Sequence, residues 1–188
     1  METQKKTVYV NFFDTINDAK VKAIMAIVSN LVSKERPDVI YCLFSSPGGA
    51  VEAGITLYNF LRALPVDIVM HNTGSIDSIA NIVFLSANTR YASTHSSFLF
   101  HGVNFGFTAP TNVNRNKLNE ILSGVVASEL KISGIITERS ELTSSEVQEL
   151  FMQGESKDPA FALSKGIISE IKNPVIPKGV PIASFNLA

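Results

Sequence analysis

Two apolar runs rich in β-branched and aromatic residues lie in the first quarter of the chain, with a helical pattern between them. Residues Thr7–Phe13 and Val39–Phe44 each predict a buried strand, and the continuous apolar run of the second is typical of a parallel sheet. From Val21 to Val32, apolar side chains recur three and four residues apart, which predicts an amphipathic helix. Because a strand, a helix and a second strand form a βαβ unit, the sequence predicts an α/β fold with a mainly parallel sheet.

Downstream, strand and helix patterns continue to alternate. The predicted segments are a helix from Val51 to about Ala63, a strand at Val66–Met70, a polar break at His71–Ser75, an amphipathic stretch from Ile76 to about Ala87 and a strand at Ser97–Val103. After them, Asn112–Arg139 predicts one helix of about 40 Å, which is longer than the core of a small domain requires. We therefore expect this helix to project or to contact a partner.

The 188 residues show no repeat and no linker, so we expect one domain over residues 1–188. Helix starts are predicted at Thr143, whose Thr-x-x-Glu pattern is a capping box, and at Asp158, which precedes a proline. The tail from Asn173 to Ala188 contains three prolines, which predicts an extended segment that is either docked or loose.

Charge, hydropathy and motif content each argue against particular classes of protein. Sixteen basic and seventeen acidic residues give a formal net charge of −1, which disfavours binding to nucleic acid. No stretch has the roughly 18 to 20 apolar residues of a membrane span, and the polar Met1–Lys6 does not resemble a secretory signal, so we expect a cytoplasmic protein. The sequence has no phosphate-binding loop, no spaced histidine ligands and only one cysteine, Cys42; we expect no metal and no cofactor.

Two loops at predicted strand ends carry residues suited to acyl-transfer chemistry. In Ser46–Gly49, adjacent glycines let backbone amides approach a ligand closely, and the following helix adds its positive end. In Gly74–Ala80, Ser78 lies at a turn into a predicted helix, beside the amide of Ile79. A serine in this position can act as a nucleophile while neighbouring amides bind the developing negative charge.

A serine nucleophile needs a base, and the chain offers His71, His95 and His101. His101 directly follows an apolar strand, so the sheet would hold its imidazole in place. From the residues alone, two structural alternatives stay open: Ser78 as a helix cap, and His101 as a hydrogen-bonded structural histidine. Pro-Gly-Gly by itself is also common in ordinary turns.

Three segments, taken in order, resemble the proteolytic subunit of Clp-type proteases and, more broadly, the ClpP/crotonase fold. Ser45–Gly54 is similar to the family's Asn-Ser-Pro-Gly-Gly segment, Gly74–Ala80 to the segment with the nucleophilic serine, and Phe98–Gly102 to the strand that ends in the catalytic histidine. The resemblance covers roughly Thr7 to Ile171. It implies a repeated ββα-type spiral with a projecting handle made of a strand and a long helix, in the region from about Phe105 to Arg139.

By this resemblance, Ser78 matches the nucleophile and His101 the general base, while Gly49 and Ile79 match the two oxyanion-binding amides. The handle implies a homo-oligomeric ring, and possible pairing of two rings through it. The family's substrates are peptides or unfolded proteins, which ATP-driven unfoldases thread into the ring.

Three departures accompany the resemblance. The family's catalytic aspartate falls at Leu150, which cannot orient an imidazole; Glu149 is the nearest carboxylate and a possible third member. Asp77 stands where the family has a small apolar residue, and its charge could disfavour an oxyanion unless it is turned to solvent. Little chain precedes Thr7 for the family's pore-lining N-terminal segment, which leaves the use of an unfoldase uncertain and favours a stand-alone peptidase.

The sequence thus predicts a Clp-like serine endopeptidase whose activity is weak if no carboxylate completes the triad. One alternative is a catalytically degenerate ring subunit that acts as a scaffold or modulator of an active relative. A minor alternative is a crotonase-like acyl-CoA enzyme, since that branch of the fold uses a similar pair of amides.

Overall fold

The computed structural model describes residues 5–107, 109 and 112–184. Its strands are β1 (Thr7–Phe13), β2 (Val39–Ser46), β3 (Asp67–Asp77), β4 (Thr89–Ala92), β5 (Ser97–Leu99), β6 (Ser156–Lys157), β7 (Glu170–Ile171) and β8 (Ile182–Ser184). Its helices are α1 (Asp18–Glu35), α2 (Val51–Arg62), α3 (Ala80–Phe84), α4 (Arg115–Arg139), α5 (Ser144–Gln153) and α6 (Pro159–Ser164).

The strands form one sheet in the order β6-β5-β3-β2-β1-β8, and β4 pairs with both β3 and β7. Every pairing is parallel except that of β5 with β6. The predicted α/β fold with a mainly parallel sheet is therefore confirmed.

The apolar runs that predicted β1 and β2 supply the centre of the core. Val10 and Phe12 alternate inward along β1, as do Ile40 and Phe44 along β2, and all four are at most 3% exposed. The Phe12 and Phe44 rings stack with their centroids 5.3 Å apart. β1 and β2 lie side by side in the sheet, and the loops at their carboxyl ends contribute to the candidate site.

The third strand is longer than predicted. The polar residues His71–Ser75, expected as a break, continue β3 as far as Asp77, and the expected helix over Ile76–Ala87 is only the five-residue α3. The first part of β3 pairs with β4, which the sequence analysis missed, and its last three residues pair with β5. The predicted strand over Ser97–Val103 is shorter, ending at Leu99.

Several predicted helix boundaries are confirmed. Thr143 and Glu146 form the reciprocal capping box of α5, and the Asp158 side chain accepts from the Phe161 amide at the start of α6. The described part of the tail is docked, because Ile182–Ser184 pairs with β1 as β8, while residues 185–188 lie outside the described residues.

The long helix of the predicted handle is α4, which has 25 residues. The handle's predicted strand falls partly on residues 108, 110 and 111, outside the described residues; the described residues from 105 to 114 form no strand. Among the described residues, no helix is long and apolar enough to cross a membrane.

Candidate active site

Ser78 lies at a sharp turn from β3 into α3, and its backbone is left-handed, with φ +58°. A residue with a β-carbon adopts this conformation at a cost of about 1–3 kcal/mol, so the surrounding structure must hold it there. The Ser78 amide donates to the Leu99 carbonyl oxygen at 2.9 Å. The Asn81 side-chain amide donates to the carbonyl oxygens of both Ser78 and Leu99, at 3.0 and 2.9 Å. The strain is thus maintained by hydrogen bonds that join the turn to the neighbouring strand.

The Gly48–Gly49 loop packs directly against this turn. Its glycines have φ +88° and +149°, and Ile16 anchors them by donating to the Gly48 carbonyl oxygen and accepting from the Ala50 amide, both at 2.8 Å. A β-carbon at Gly49 would lie 2.1 Å from the Ile16 oxygen. One at Gly48 would lie 2.7 Å from the β-carbon of Ser78. Both positions therefore require glycine.

Two backbone amides beside Ser78 are unoccupied. Within the described part of the chain, neither the Gly49 amide nor the Ile79 amide donates a hydrogen bond. The two segments lie close, because a β-carbon at Gly48 would be 3.3 Å from the Ile79 nitrogen. Free amides of this kind can bind an anion, including the oxyanion of a tetrahedral intermediate.

His101 follows β5, and its ring is oriented by the next residue along the chain. Nδ1 lies 2.7 Å from the carbonyl oxygen of Gly102. A carbonyl oxygen can only accept, so Nδ1 carries the proton in the neutral ring and Nε2 keeps its lone pair. This tautomer is the one a general base needs.

A cavity of about 160 Å³ joins these groups. Gly49, Ser78, Ile79 and His101 all contribute to its wall. Apolar side chains from α4 and α5, among them Ile136 and Phe151, form much of the remainder. In the described structure the Ser78 hydroxyl has no hydrogen-bond partner, and catalytic hydrogen bonds are often loose before substrate binds.

The structure locates the two positions considered for a third member of the triad, Leu150 and Glu149. Leu150 is 5% exposed and packs in the core. Glu149 is exposed on α5, and its carboxylate is not a hydrogen-bond partner of His101. The imidazole is instead held by the Gly102 carbonyl group.

Asp77 is half-buried at the end of β3 rather than turned fully to solvent. Burial raises the pKa of its carboxyl group, while a hydrogen bond from Ser75 and the charge of His101 act in the opposite direction. The charge of Asp77 therefore acts at the site itself rather than in solvent alone.

The other two histidines do not reach the cavity. His71 is fully buried; its Nδ1 lies 2.6 Å from the Tyr41 hydroxyl and its Nε2 lies 2.9 Å from the Lys172 carbonyl oxygen. Burial lowers the pKa of His71, and both of its nitrogens are occupied. His95 is exposed in the loop before β5.

Two hydrogen bonds made by the residues that follow His101 were not predicted from the sequence. The Gly102 amide donates to the Phe151 carbonyl oxygen at 3.4 Å, and Glu129 accepts from the Val103 amide at 3.0 Å. The spacing of Glu129 along α4 gave no signal of this contact. Within the described residues, no three metal-binding side chains come together.

The chain matches the Clp protease family over residues 2–174, and it belongs to that family. It is 30% identical over 77 residues to the ATP-dependent Clp protease proteolytic subunit 2 of Pseudomonas aeruginosa, a match that covers 40% of this chain and 38% of the relative. The subunit 2 of the same name from Chlamydia trachomatis serovar D is 27% identical over 169 residues, with coverage of 84% and 78%.

A third relative, the ATP-dependent Clp protease proteolytic subunit 1 of Leifsonia xyli, is 28% identical over 110 residues; the match covers 57% of this chain and 55% of the relative. Among solved structures, a ClpP1 point mutant from Listeria monocytogenes superposes with a TM-score of 0.74, at 18% identity. That superposition covers 89% of this chain and 92% of the other, which supports the fold.

Proposed function

We propose that the protein is a Clp-like serine peptidase in which Ser78 is the nucleophile and His101 the general base. The observation that carries this proposal is the left-handed φ of Ser78 at a strand-to-helix turn, on a cavity wall shared with His101. Backbone strain at a non-glycine residue concentrates at functional sites, and such a turn exposes a nucleophilic hydroxyl.

The proposed reaction begins when the Ser78 oxygen attacks a peptide carbonyl carbon. The Ser78 proton passes to Nε2 of His101, while the Gly49 and Ile79 amides bind the oxygen that becomes negative. His101 then donates this proton to the leaving amine, which leaves an acyl-enzyme. His101 then takes a proton from a water molecule that attacks the ester, and it returns this proton to the Ser78 oxygen as the acid product leaves.

A fluorophosphonate probe tests the proposal directly, because it reacts only with an activated serine. We expect the wild-type protein to be labelled at Ser78, and Ser78→Ala and His101→Ala to abolish labelling. Ser144→Ala, at the exposed start of α5, is the matched control and should label normally. A folded wild-type protein that never labels would exclude the peptidase proposal.

A degenerate subunit is the second candidate, and the buried Leu150 favours it. Loss of the orienting carboxylate in a serine protease lowers turnover by about 10⁴. Such a subunit would bind an active relative and modulate it. Cleavage of short peptides by the purified protein, without ATP, would exclude this candidate.

We also propose that copies of the chain assemble through α4. Along this helix, Leu118, Leu122, Val126 and Leu130 are 46–68% exposed, and large apolar side chains in a row are costly to leave in water. A homo-oligomeric ring, paired through the handle, would cover them. Sedimentation of Leu122→Glu with Leu130→Glu should give smaller species than the wild type, whereas Glu120→Gln on the same helix should not.

A further inference from the structure

Resting on the proposed function, we propose that Glu129 is a positioning residue for His101, and that it acts through the peptide group between Gly102 and Val103. This arrangement would supply part of what the family's aspartate supplies, in a chain that has Leu150 at the aspartate's position.

The two relevant hydrogen bonds are made by opposite ends of the same peptide group. Its carbonyl oxygen, on Gly102, accepts from Nδ1 of His101 at 2.7 Å. Its N–H, on Val103, donates to Oε1 of Glu129 at 3.0 Å. Because the C=O and N–H of a trans peptide point in opposite directions, imidazole, peptide and carboxylate form one continuous chain of hydrogen bonds.

A carboxylate at the end of this chain has an electronic effect on its other end. An ionised acceptor strengthens the N–H hydrogen bond and draws the resonance of the peptide toward its charge-separated form. The Gly102 oxygen then carries more negative charge and becomes a better acceptor for Nδ1–H. The Nδ1–H tautomer and the imidazolium are both stabilised as a result.

The charge of Glu129 is directed at this peptide. Among the residues the structure describes, no lysine, arginine or histidine forms an ion pair with Glu129. Its carboxylate also lies against the backbone of residue 102, where an added β-carbon would be 2.9 Å from Oε1. Glycine at this position therefore permits the approach.

No proton moves along the chain of hydrogen bonds. The Nδ1 proton stays on the imidazole throughout, and the only proton transferred is the Ser78 proton, which Nε2 accepts and later gives up. Asp77, from β3, is a second charged group that acts on His101. From α5 the cavity receives the apolar Phe151. The effect of Asp77 therefore stays the same when Glu129 is changed.

Two substitutions separate this electronic role from simple tethering. Glu129→Gln keeps an oxygen that can accept from the Val103 amide but removes the charge, whereas Glu129→Ala removes both. Glu120→Gln is the matched control, because it removes a carboxylate from α4 where Lys117 is its partner. Each protein is measured by its fluorophosphonate labelling rate from pH 5 to 9 and by the ¹⁵N shifts of the His101 ring, which report its tautomer.

We expect Glu129→Gln to label about three- to tenfold more slowly than the wild type and to lose part of its Nδ1–H tautomer, because a neutral acceptor is about half as strong as an ionised one. The acid limb of its labelling profile should also move to lower pH, because the imidazolium loses the support of the carboxylate charge. Glu129→Ala should be slower still, and Glu120→Gln should match the wild type.

If Glu129→Gln shows the same labelling rate, pH profile and ring shifts as the wild type, the inference is overturned. A role limited to accepting the hydrogen bond of the Val103 amide would survive this substitution. If the wild type does not label at all, the proposed function fails. The ring shifts then still decide whether Glu129 sets the tautomer of His101, because that measurement needs no activity.

Discussion

The α-carbon of Gly48 lies against the β-carbon of Ser78, so that a methyl group at position 48 would come within 2.7 Å of it. The same methyl group would lie 2.7 Å from the Asp77 carbonyl oxygen and 3.3 Å from the Ile79 nitrogen. The loop that would bind the oxyanion and the turn that presents the hydroxyl are therefore fitted to each other at backbone level.

This contact predicts that Gly48→Ala strongly slows labelling of Ser78. The loop must move away to relieve the overlap, and φ +88° is itself strained for alanine. We expect at least a roughly 100-fold loss of labelling rate, on the order of the loss of one oxyanion donor. Gly124→Ala on α4, where an added methyl group meets nothing within 4 Å, should label normally and unfold no more easily. Normal labelling of Gly48→Ala would show that the loop does not define the site.

The strain at Ser78 predicts an unusual order of stability. Ser78→Ala removes the hydroxyl but keeps a β-carbon at φ +58°, whereas Ser78→Gly also relieves the strain. We expect Ser78→Gly to exceed Ser78→Ala in free energy of unfolding by about 1 kcal/mol. Urea denaturation of the two inactive variants measures this difference directly. Equal stability would mean that the turn is not strained in solution.

The exposed position of Glu149 predicts that this carboxylate has no role in the reaction. We expect Glu149→Gln to keep a labelling rate within about twofold of the wild type, as is usual for a surface substitution. A large loss would instead support Glu149 as the third member of the triad, reached through a movement of α5. Cleavage of short peptides by Glu149→Gln should likewise proceed at close to the wild-type rate.

The contact between Glu146 and Lys165 predicts a pH dependence of stability. The Lys165 ammonium lies 2.5 Å from Glu146 Oε1, and with the Thr143 hydrogen bonds it lowers the pKa of Glu146 from 4.5 to about 2. A carboxyl group with a lowered folded-state pKa stabilises the fold above its unfolded pKa, and this contribution is lost as the pH falls from about 4.5 to about 2.

Urea unfolding at pH 6 and at pH 3 measures this contribution. Glu146→Gln should be less stable than the wild type at pH 6, and the difference should shrink at pH 3. Glu149→Gln, on the same helix, should show a pH dependence like that of the wild type. An unchanged difference between the wild type and Glu146→Gln at both pH values would contradict the assignment.

The parallel sheet could be predicted because two of its strands, β1 and β2, are mainly apolar, as Val10 and Ile40 illustrate. The course of β3 could not, since its polar residues find partners that are distant in sequence. The Asn72 side chain donates to the Ser97 carbonyl oxygen, and the Ser45 hydroxyl bonds both the amide and the carbonyl oxygen of Ser75. Local periodicity treats such residues as a turn, because the contacts that keep them in a strand are tertiary.

The candidate site likewise contains residues that the sequence could indicate and one that it could not. Ser78, His101 and the Gly48–Gly49 loop could be proposed from the sequence because turn residues and strand ends mark them, but their roles were implied only by the family resemblance. Glu129 was not, since its contact with Val103 depends on how α4 lies across the loop after β5. In the sequence, Glu129 is indistinguishable from the other charged residues on the exposed face of a helix.

The Asn81 side chain, which donates to the carbonyl oxygens of both Ser78 and Leu99, couples the turn at Ser78 mechanically to the end of β5. Substitutions that change only the side chains of residues 104–107 should therefore leave this coupling intact, because both of its hydrogen bonds lie outside that segment.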